Sequence, residues 1–173
     1  VGWSMAQVSS FPPVSGRRAR LLILGSMPGK ASLAAQQYYA HPRNAFWPVM
    51  EAVLGIDRNL PYEQRCRQLV ARDIAVWDVL QSCFRPGSLD ADIDPASTMA
   101  NDFSTFLADH PRIRRICFNG ATAQQMFRRH VLPTLPADCV PEMVRLPSTS
   151  PAHAGMRMEQ KVEYWAPWLD ISD

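Results

Sequence analysis

Four short apolar runs punctuate the chain, and each ends at small or polar residues. Arg20-Leu21-Leu22-Ile23-Leu24-Gly25 is continuous rather than alternating, the pattern of a strand buried on both faces of a parallel sheet. Asp73 to Val79, Ile113 to Phe118 and Val140 to Leu146 are the second, third and fourth strand candidates. Between the runs the apolar period becomes helical. Asn44 to Leu54 turns Phe46, Trp47, Met50, Val53 and Leu54 inward and closes at Gly55. Pro61, at a first-turn position, opens a helix with Cys66, Leu69 and Val70 on one face. Ser97 is predicted to cap a helix carrying Met99, Phe103, Phe106 and Leu107. Ala121 to His130 follows, and Met156 to Trp168 closes the chain with Met158, Val162, Trp165 and Leu169 on one side. Residues 31–37, rich in Ala and Gln, predict a further short helix, and residues 82–95, with Arg85, Ser88, Asp90 and Asp92, a polar loop.

Strands alternating with helices predict an α/β fold: a three-layer α/β/α sandwich around a central four-stranded parallel sheet. Residues 20–173 form the single domain. Residues 1–19 read as a flexible N-terminal arm or an edge wrap, with Met5 a candidate natural start. No internal repeat or low-complexity block interrupts this organisation.

In such folds ligands bind outside the carboxyl ends of the strands. Gly25-Ser26-Met27-Pro28-Gly29, Trp77-Asp78, Asn119-Gly120 and Pro147 to His153 should therefore converge at one edge. The stretch Tyr38 to Trp47 follows the first strand and hangs over the same edge. His41 precedes Pro42, so it should be extended, with the helix starting after the proline. Two readings stay open: a polar pocket at a helix start roofed by an aromatic, or core aromatics with Asn44 as an N-cap. Asn119 offers an acceptor and a donor that suit a nucleobase edge, or is a turn residue before Gly120. Pro147-Ser148-Thr149-Ser150-Pro151 can pinch a nucleic-acid backbone, or simply join strand to helix. His41 and His153 are candidate phosphate sensors or proton donors. The glycine turn after the first strand lacks both nucleotide-binding fingerprints. Ser26, Asp78 and His153 can be written as an esterase triad, but no G-x-S-x-G elbow is present.

Composition adds less. The 173 residues are 47% hydrophobic and 20% charged, ordinary for one globular domain, and a net charge of +2 permits a nucleic-acid partner without demanding one. Only Lys30 and Lys161 are lysines; the remaining basic side chains are arginines, suited to phosphate forks and base stacking. Cys66, Cys83, Cys117 and Cys139 are too widely spaced for a metal knuckle, which disfavours a structural zinc or an iron–sulfur cluster. Reduced cysteines, with no signal segment and no membrane span, point to a cytoplasmic protein.

Three blocks together resemble the uracil-DNA glycosylase superfamily: Gly25-Ser26-Met27-Pro28-Gly29, Tyr39-Ala40-His41-Pro42-Arg43-Asn44-Ala45-Phe46-Trp47, and Leu146-Pro147-Ser148-Thr149-Ser150-Pro151-Ala152-His153. The resemblance covers the chain from the first strand to the closing helix. Where the mismatch-specific branch has a water-positioning Asn in the glycine turn, this chain has Met27. That departure, with Trp77-Asp78-Val79-Leu80 and Phe118-Asn119-Gly120, is similar to the hypoxanthine (deoxyinosine) branch. The resemblance implies Asn44 as the catalytic residue supported by Asn119, and base binding by Ser26, Met27, Tyr39 and Asn119. It also implies DNA contacts from Arg43, Arg85, Ser148, Thr149, Ser150 and His153. Tyr39 would stack on the flipped base. The implied partner is DNA containing a deaminated base, met by a monomer, and the resemblance implies that no metal or other cofactor is needed. A uracil- or mismatch-type glycosylase and a catalytically silent lesion binder are the alternatives.

Overall fold

A computed structural model describes residues 7–85 and 89–171, with the side chain of Phe84 left aside. Four parallel strands form the central sheet: β2 (Leu21–Gly25), β3 (Ile74–Asp78), β6 (Arg115–Asn119) and β7 (Glu142–Leu146), in the order β3-β2-β6-β7. β2 and β3 are buried at every position, which is why their sequences run apolar without alternation. Leu21 sits opposite Ile74 on one side and Arg115 on the other. The helices are α1 (Lys30–Ala35), α2 (Phe46–Leu54), α3 (Tyr62–Ala71), α4 (Phe103–Asp109), α5 (Ala121–His130) and α6 (Met158–Leu169). They flank the sheet, with α3 against β3, α5 against β2, β6 and β7, and α2 packed on α6. The four-stranded sandwich is thus as expected.

Three local expectations are corrected. Residues 82–95 are not all loop: β4 (Leu80–Phe84) continues almost directly from β3 and pairs antiparallel with β1 (Gln7–Ser9) and β5 (Met99–Ala100). Leu80 and Cys83 are buried while Gln81 is exposed, the half-covered pattern of a strand in a small second sheet. Ser97 caps no helix; it ends a single 3₁₀ turn opened by Asp94, and Met99 joins β5 instead. The helix begins at Phe103, where the Asp102 carboxylate accepts the Thr105 N–H at 3.1 Å. Asn44 lies outside α2, because its side chain takes the Phe46 N–H. Residues 7–19 wrap the edge: beyond β1, Val14 exchanges two backbone hydrogen bonds with Val76 (2.9 and 2.8 Å), covering the outer side of β3.

Two aromatic clusters anchor the layers. Trp77, Phe103, Phe106, Phe127 and Phe118 form one chain of ring contacts. Tyr38, Tyr39, Phe46, Trp47 and Tyr62 form the other, directly under the strand ends.

Candidate active site

The carboxyl ends of β2, β3 and β6 open into a cavity of about 880 Å³, walled by the glycine turn, by Tyr38 to Asn44, by Leu89 to Ala91 and by Ser148 to His153. Its geometry is set by short local rules. Val79 and Leu80 N–H donate to the Gly25 and Ser26 carbonyls (2.8 and 3.2 Å), locking the turn to the start of β4. Gly120 has φ +97°, and a Cβ there would stand 3.0 Å from that of Ser148, so only glycine lets the last loop close on β6.

Asn119 and Thr149 form a reciprocal clasp. Asn119 Nδ2 donates to Thr149 Oγ1 at 2.9 Å, and Thr149 N–H donates to Asn119 Oδ1 at 2.9 Å. Thr149 is buried, and its carbonyl accepts the Ala45 N–H at 2.9 Å. The clasp therefore ties β6, the final loop and the start of α2 together. Behind it, Trp165 Nε1 donates to the Pro147 carbonyl and Lys161 Nζ to that of His153 (2.9 and 3.1 Å), so α6 holds the loop in place.

Asn44 sits on the same wall. Its Oδ1 accepts the Phe46 N–H at 2.9 Å, while its Nδ2 makes no hydrogen bond among the described residues. His41 Nδ1 accepts the Arg43 N–H at 3.0 Å, so the neutral imidazole carries its proton on Nε2. Tyr39 adopts φ +58° and stacks on Phe46, with ring centroids 4.1 Å apart and planes 20° apart. One face of Tyr39 is thereby occupied. Its hydroxyl is buried without a hydrogen-bond partner among the described residues. Burial, then the neighbouring Asp78, pushes its pKa upward; the nearby Asn119 amide opposes this in part, short of full hydrogen-bond geometry.

Every residue expected at the site lines this cavity except Arg85. Met27 is buried at its floor. Arg43, Asn44, Ser150 and His153 also face a neighbouring hollow of about 410 Å³ that includes Arg58 and Lys161. Arg85, expected as a phosphate contact, is 2% exposed, and its Nη2 donates to the Pro28 carbonyl from beneath the turn. It follows β4, and that antiparallel strand carries it under the site rather than out to solvent. Ser26 Oγ donates to Asp90 Oδ1 at 2.5 Å, an arrangement unlike a Ser–His pair.

Two acidic groups line the cavity outside the expected set of site residues. Asp78 ends β3 within the cavity and is 3% exposed; Asp90 faces it from the 3₁₀ turn at Asp90–Asp92. Burial first, and then Asp90, push the Asp78 carboxyl up to about 7, with Arg85 opposing. The available signal was a single acid closing an otherwise apolar strand. Among the described residues no group of three potential metal ligands gathers, the four cysteines are free, and no helix is long and apolar enough to cross a membrane.

The family model described as "Uracil DNA glycosylase superfamily" matches residues 12–171. A Methanosarcina acetivorans protein named hypoxanthine DNA glycosylase is 38% identical over 114 residues, covering 65% of this chain and 71% of its own. A Methanosarcina barkeri protein of the same name is 36% identical over 111 residues, 64% of this chain and 69% of its own. A Methanosarcina acetivorans protein solved by solution NMR, provisionally assigned as a uracil DNA glycosylase, superposes with a TM-score of 0.77. It has 33% identity over 92% of this chain and 95% of its own.

Proposed function

Since this chain belongs to the uracil DNA glycosylase superfamily, we propose that it is a monofunctional DNA glycosylase that hydrolyses the N-glycosidic bond of deaminated bases, with deoxyinosine preferred. The observation that carries the reading is that Asn119 is clasped to Thr149, whose carbonyl holds Ala45, so that Asn44 and Asn119 line one cavity together with the buried Met27. Two relatives named hypoxanthine DNA glycosylase support the choice of base.

The substrate nucleotide leaves the duplex and enters the cavity, at a cost of a few kcal/mol that is least for a mispaired base. The free face or edge of Tyr39 contacts the base, and Phe46 stiffens the ring from behind. As the C1′–N9 bond breaks, positive charge grows on the sugar and negative charge on the purine. Water oxygen bonds to C1′, the base takes up the proton, and an abasic deoxyribose and free hypoxanthine result. An Asn amide is too weak a base to ionise water, so Asn44 acts through its Nδ2 hydrogens, holding the water or a base acceptor. Asn119 commits one donor and one acceptor to Thr149 and retains a second amide hydrogen for the departing purine. Arg43 and the hydroxyls of Ser148 and Ser150 face the phosphates, and His153 presses on the DNA beside them.

The test incubates the protein with duplexes carrying one inosine, uracil or mismatched thymine, with and without alkali afterwards. Breaks at inosine only after alkali are expected. Breaks without alkali would refute monofunctional hydrolysis, and breaks at uracil alone would refute the base preference. A catalytically silent lesion binder is the second reading, favoured by the engagement of the Asn44 carbonyl with the Phe46 N–H. It requires inosine-duplex binding with no break under any treatment.

A further inference from the structure

We propose that the hollow of about 410 Å³ beside the cavity seats a phosphodiester of the damaged strand next to the extruded nucleotide, with the buried Lys161 ammonium as its counter-charge. The inference rests on the glycosylase reading above and deepens it, adding a cation from α6 to the contacts of Arg43 and the final loop. Position carries it first. Arg43, Asn44, Ser150, Pro151 and His153 line both spaces, so they form one dividing wall. A nucleotide with its base in the larger cavity and its sugar at Asn44 meets that wall, and the linkage to its neighbour comes to the hollow. The start of α2 borders the hollow as well, through Ala45 and Pro48, and the amino end of a helix favours an anion.

The charges around the hollow do not balance. Its lining holds Arg43, Arg58 and Lys161 and no carboxylate. Arg58 is already neutralised, since its Nη2 and its Nε both lie 2.8 Å from Glu51 Oε1. Arg43 and Lys161 have no acidic partner among the described residues. Lys161 is only 5% exposed, and its Nζ makes one hydrogen bond among those residues, to the His153 carbonyl at 3.1 Å. An ammonium carries three donors, so the others await acceptors. Burial holds its pKa below that of an ordinary lysine. Tying α6 to the loop does not account for this arrangement. One bond to a carbonyl stabilises far less than burying an ammonium costs, and a neutral donor could make the same bond. A buried cation with spare donors calls for an anion from outside the chain.

The donors around the hollow select phosphate. Arg43 presents a planar fork, Lys161 a point charge and Ser150 a hydroxyl, a set that suits a tetrahedral group with several acceptor oxygens. Ser150 Oγ accepts the Ala152 N–H at 3.2 Å and keeps its own hydrogen to donate. Lys161 acts on the loop at the same time. Its Nζ already holds the His153 carbonyl, so a phosphate on the same nitrogen fixes the segment from Ser150 to His153 against the strand. The linkage is then anchored on one side of Asn44 while the base is enclosed on the other, which keeps the nucleotide out of the stack.

Single methylphosphonate linkages, which are neutral, test this by a cycle of protein and DNA changes. Duplexes carry 2′-fluoroarabino-inosine, which resists excision, with a methylphosphonate at its 5′ or its 3′ linkage. In the wild type, neutralising at least one of the two should weaken equilibrium binding about tenfold. Lys161→Met, similar in length and apolar, should bind the all-phosphate duplex about tenfold more weakly and lose its sensitivity to that linkage. Pro48→Glu leaves Lys161 in place and gives the hollow a resident carboxylate. It should show the same insensitivity, and it keeps the test decisive if Lys161→Met fails to fold. Wild-type sensitivity to both linkages in the folded variants overturns the assignment, as a purely structural lysine would give. So does a wild-type Tm raised by inorganic phosphate with no such coupling to DNA, which would give the hollow to a free anion. A wild type that excises inosine without the coupling leaves the glycosylase reading standing alone. Coupling in a protein that excises nothing keeps the phosphate seat and overturns the glycosylase reading.

Discussion

Adding one methyl group at Gly25 probes whether the polar groups over the strand end, rather than the fold, sustain excision. The backbone there is outside the left-handed region, so the perturbation in Gly25→Ala is steric. The new Cβ would stand 2.6 Å from Asp78 Oδ1 and 3.0 Å from the Tyr39 hydroxyl, the former closer than real Cβ contacts come. Neither neighbour yields easily. Asp78 is buried at the end of β3, and the Tyr39 ring lies flat on Phe46. Overpacking of this kind costs about 1–3 kcal/mol, or a Tm lower by roughly 2–12 °C for a chain of this size. The carboxyl and hydroxyl must each shift by tenths of an ångström, and displacement approaching 1 Å costs about 10²-fold in rate. Single-turnover excision from an inosine duplex should thus fall, by up to about 10²-fold, while circular dichroism reports a folded protein. Gly55→Ala is the control: φ is +74° and nothing lies within 4 Å, so it should cost about 1 kcal/mol of stability and leave excision intact. Wild-type excision in Gly25→Ala, whatever its Tm, would refute the reasoning, because the groups over Gly25 would then have no part in the chemistry.

Asn44→Asp keeps the Oδ1 acceptor for Phe46 and removes the amide donor; excision should be lost with Tm nearly unchanged, whereas Asn44→Ala should also lose about 0.5–1.5 kcal/mol of stability with that hydrogen bond. Arg85→Met should leave the salt dependence of DNA affinity unaltered because Arg85 is buried under the turn. Arg43→Ala, which faces the cavity, should reduce the slope of log K against log salt by about one. The folded Asp78 carboxyl keeps its proton up to about 7 against an ordinary 3.8, so between those values the folded state binds more protons and stability falls as pH rises, levelling above 7. Denaturant titrations at three pH values should show that fall, on the order of 4 kcal/mol, in the wild type and its absence in Asp78→Asn.

The parallel sheet was legible because burial on both faces erases alternation, leaving short apolar runs such as Leu21 to Leu24. The antiparallel sheet was not legible. β1 has three residues and β5 two, and β1 meets its partner β4 across a separation of 75 residues, Val8 opposite Cys83. Segments that short hold no periodicity; pairing at a distance decides them. The same competition displaced the helix expected after Ser97. Met99 fits the helical spacing of Phe103 and Phe106, yet it is 58% exposed and paired to β4, and the cap that operates is Asp102.

The site was legible to the extent that topology placed it: the rule that ligands lie beyond parallel strand ends assembled Gly25, Asn119 and Thr149 without any contact being known. Two side chains escaped it for opposite reasons. Arg85 looked available because polar context was read as exposure, although the strand preceding it turns it inward. Asp78 looked incidental because any Asp can be written into a triad, although a lone acid closing the apolar strand Ile74–Asp78 should have been weighed as a buried charge with a task. Asn44 is the more instructive case. N-cap and catalytic amide stood as rival readings of it. The N-cap position falls to Ala45, and Asn44 Oδ1 instead takes the N–H of Phe46, the first residue of α2, which fixes which way Nδ2 points. A serine or aspartate could accept that N–H equally well, but neither has an amide donor left over. The proposed chemistry therefore explains why this position should be asparagine, which the bond to Phe46 by itself does not.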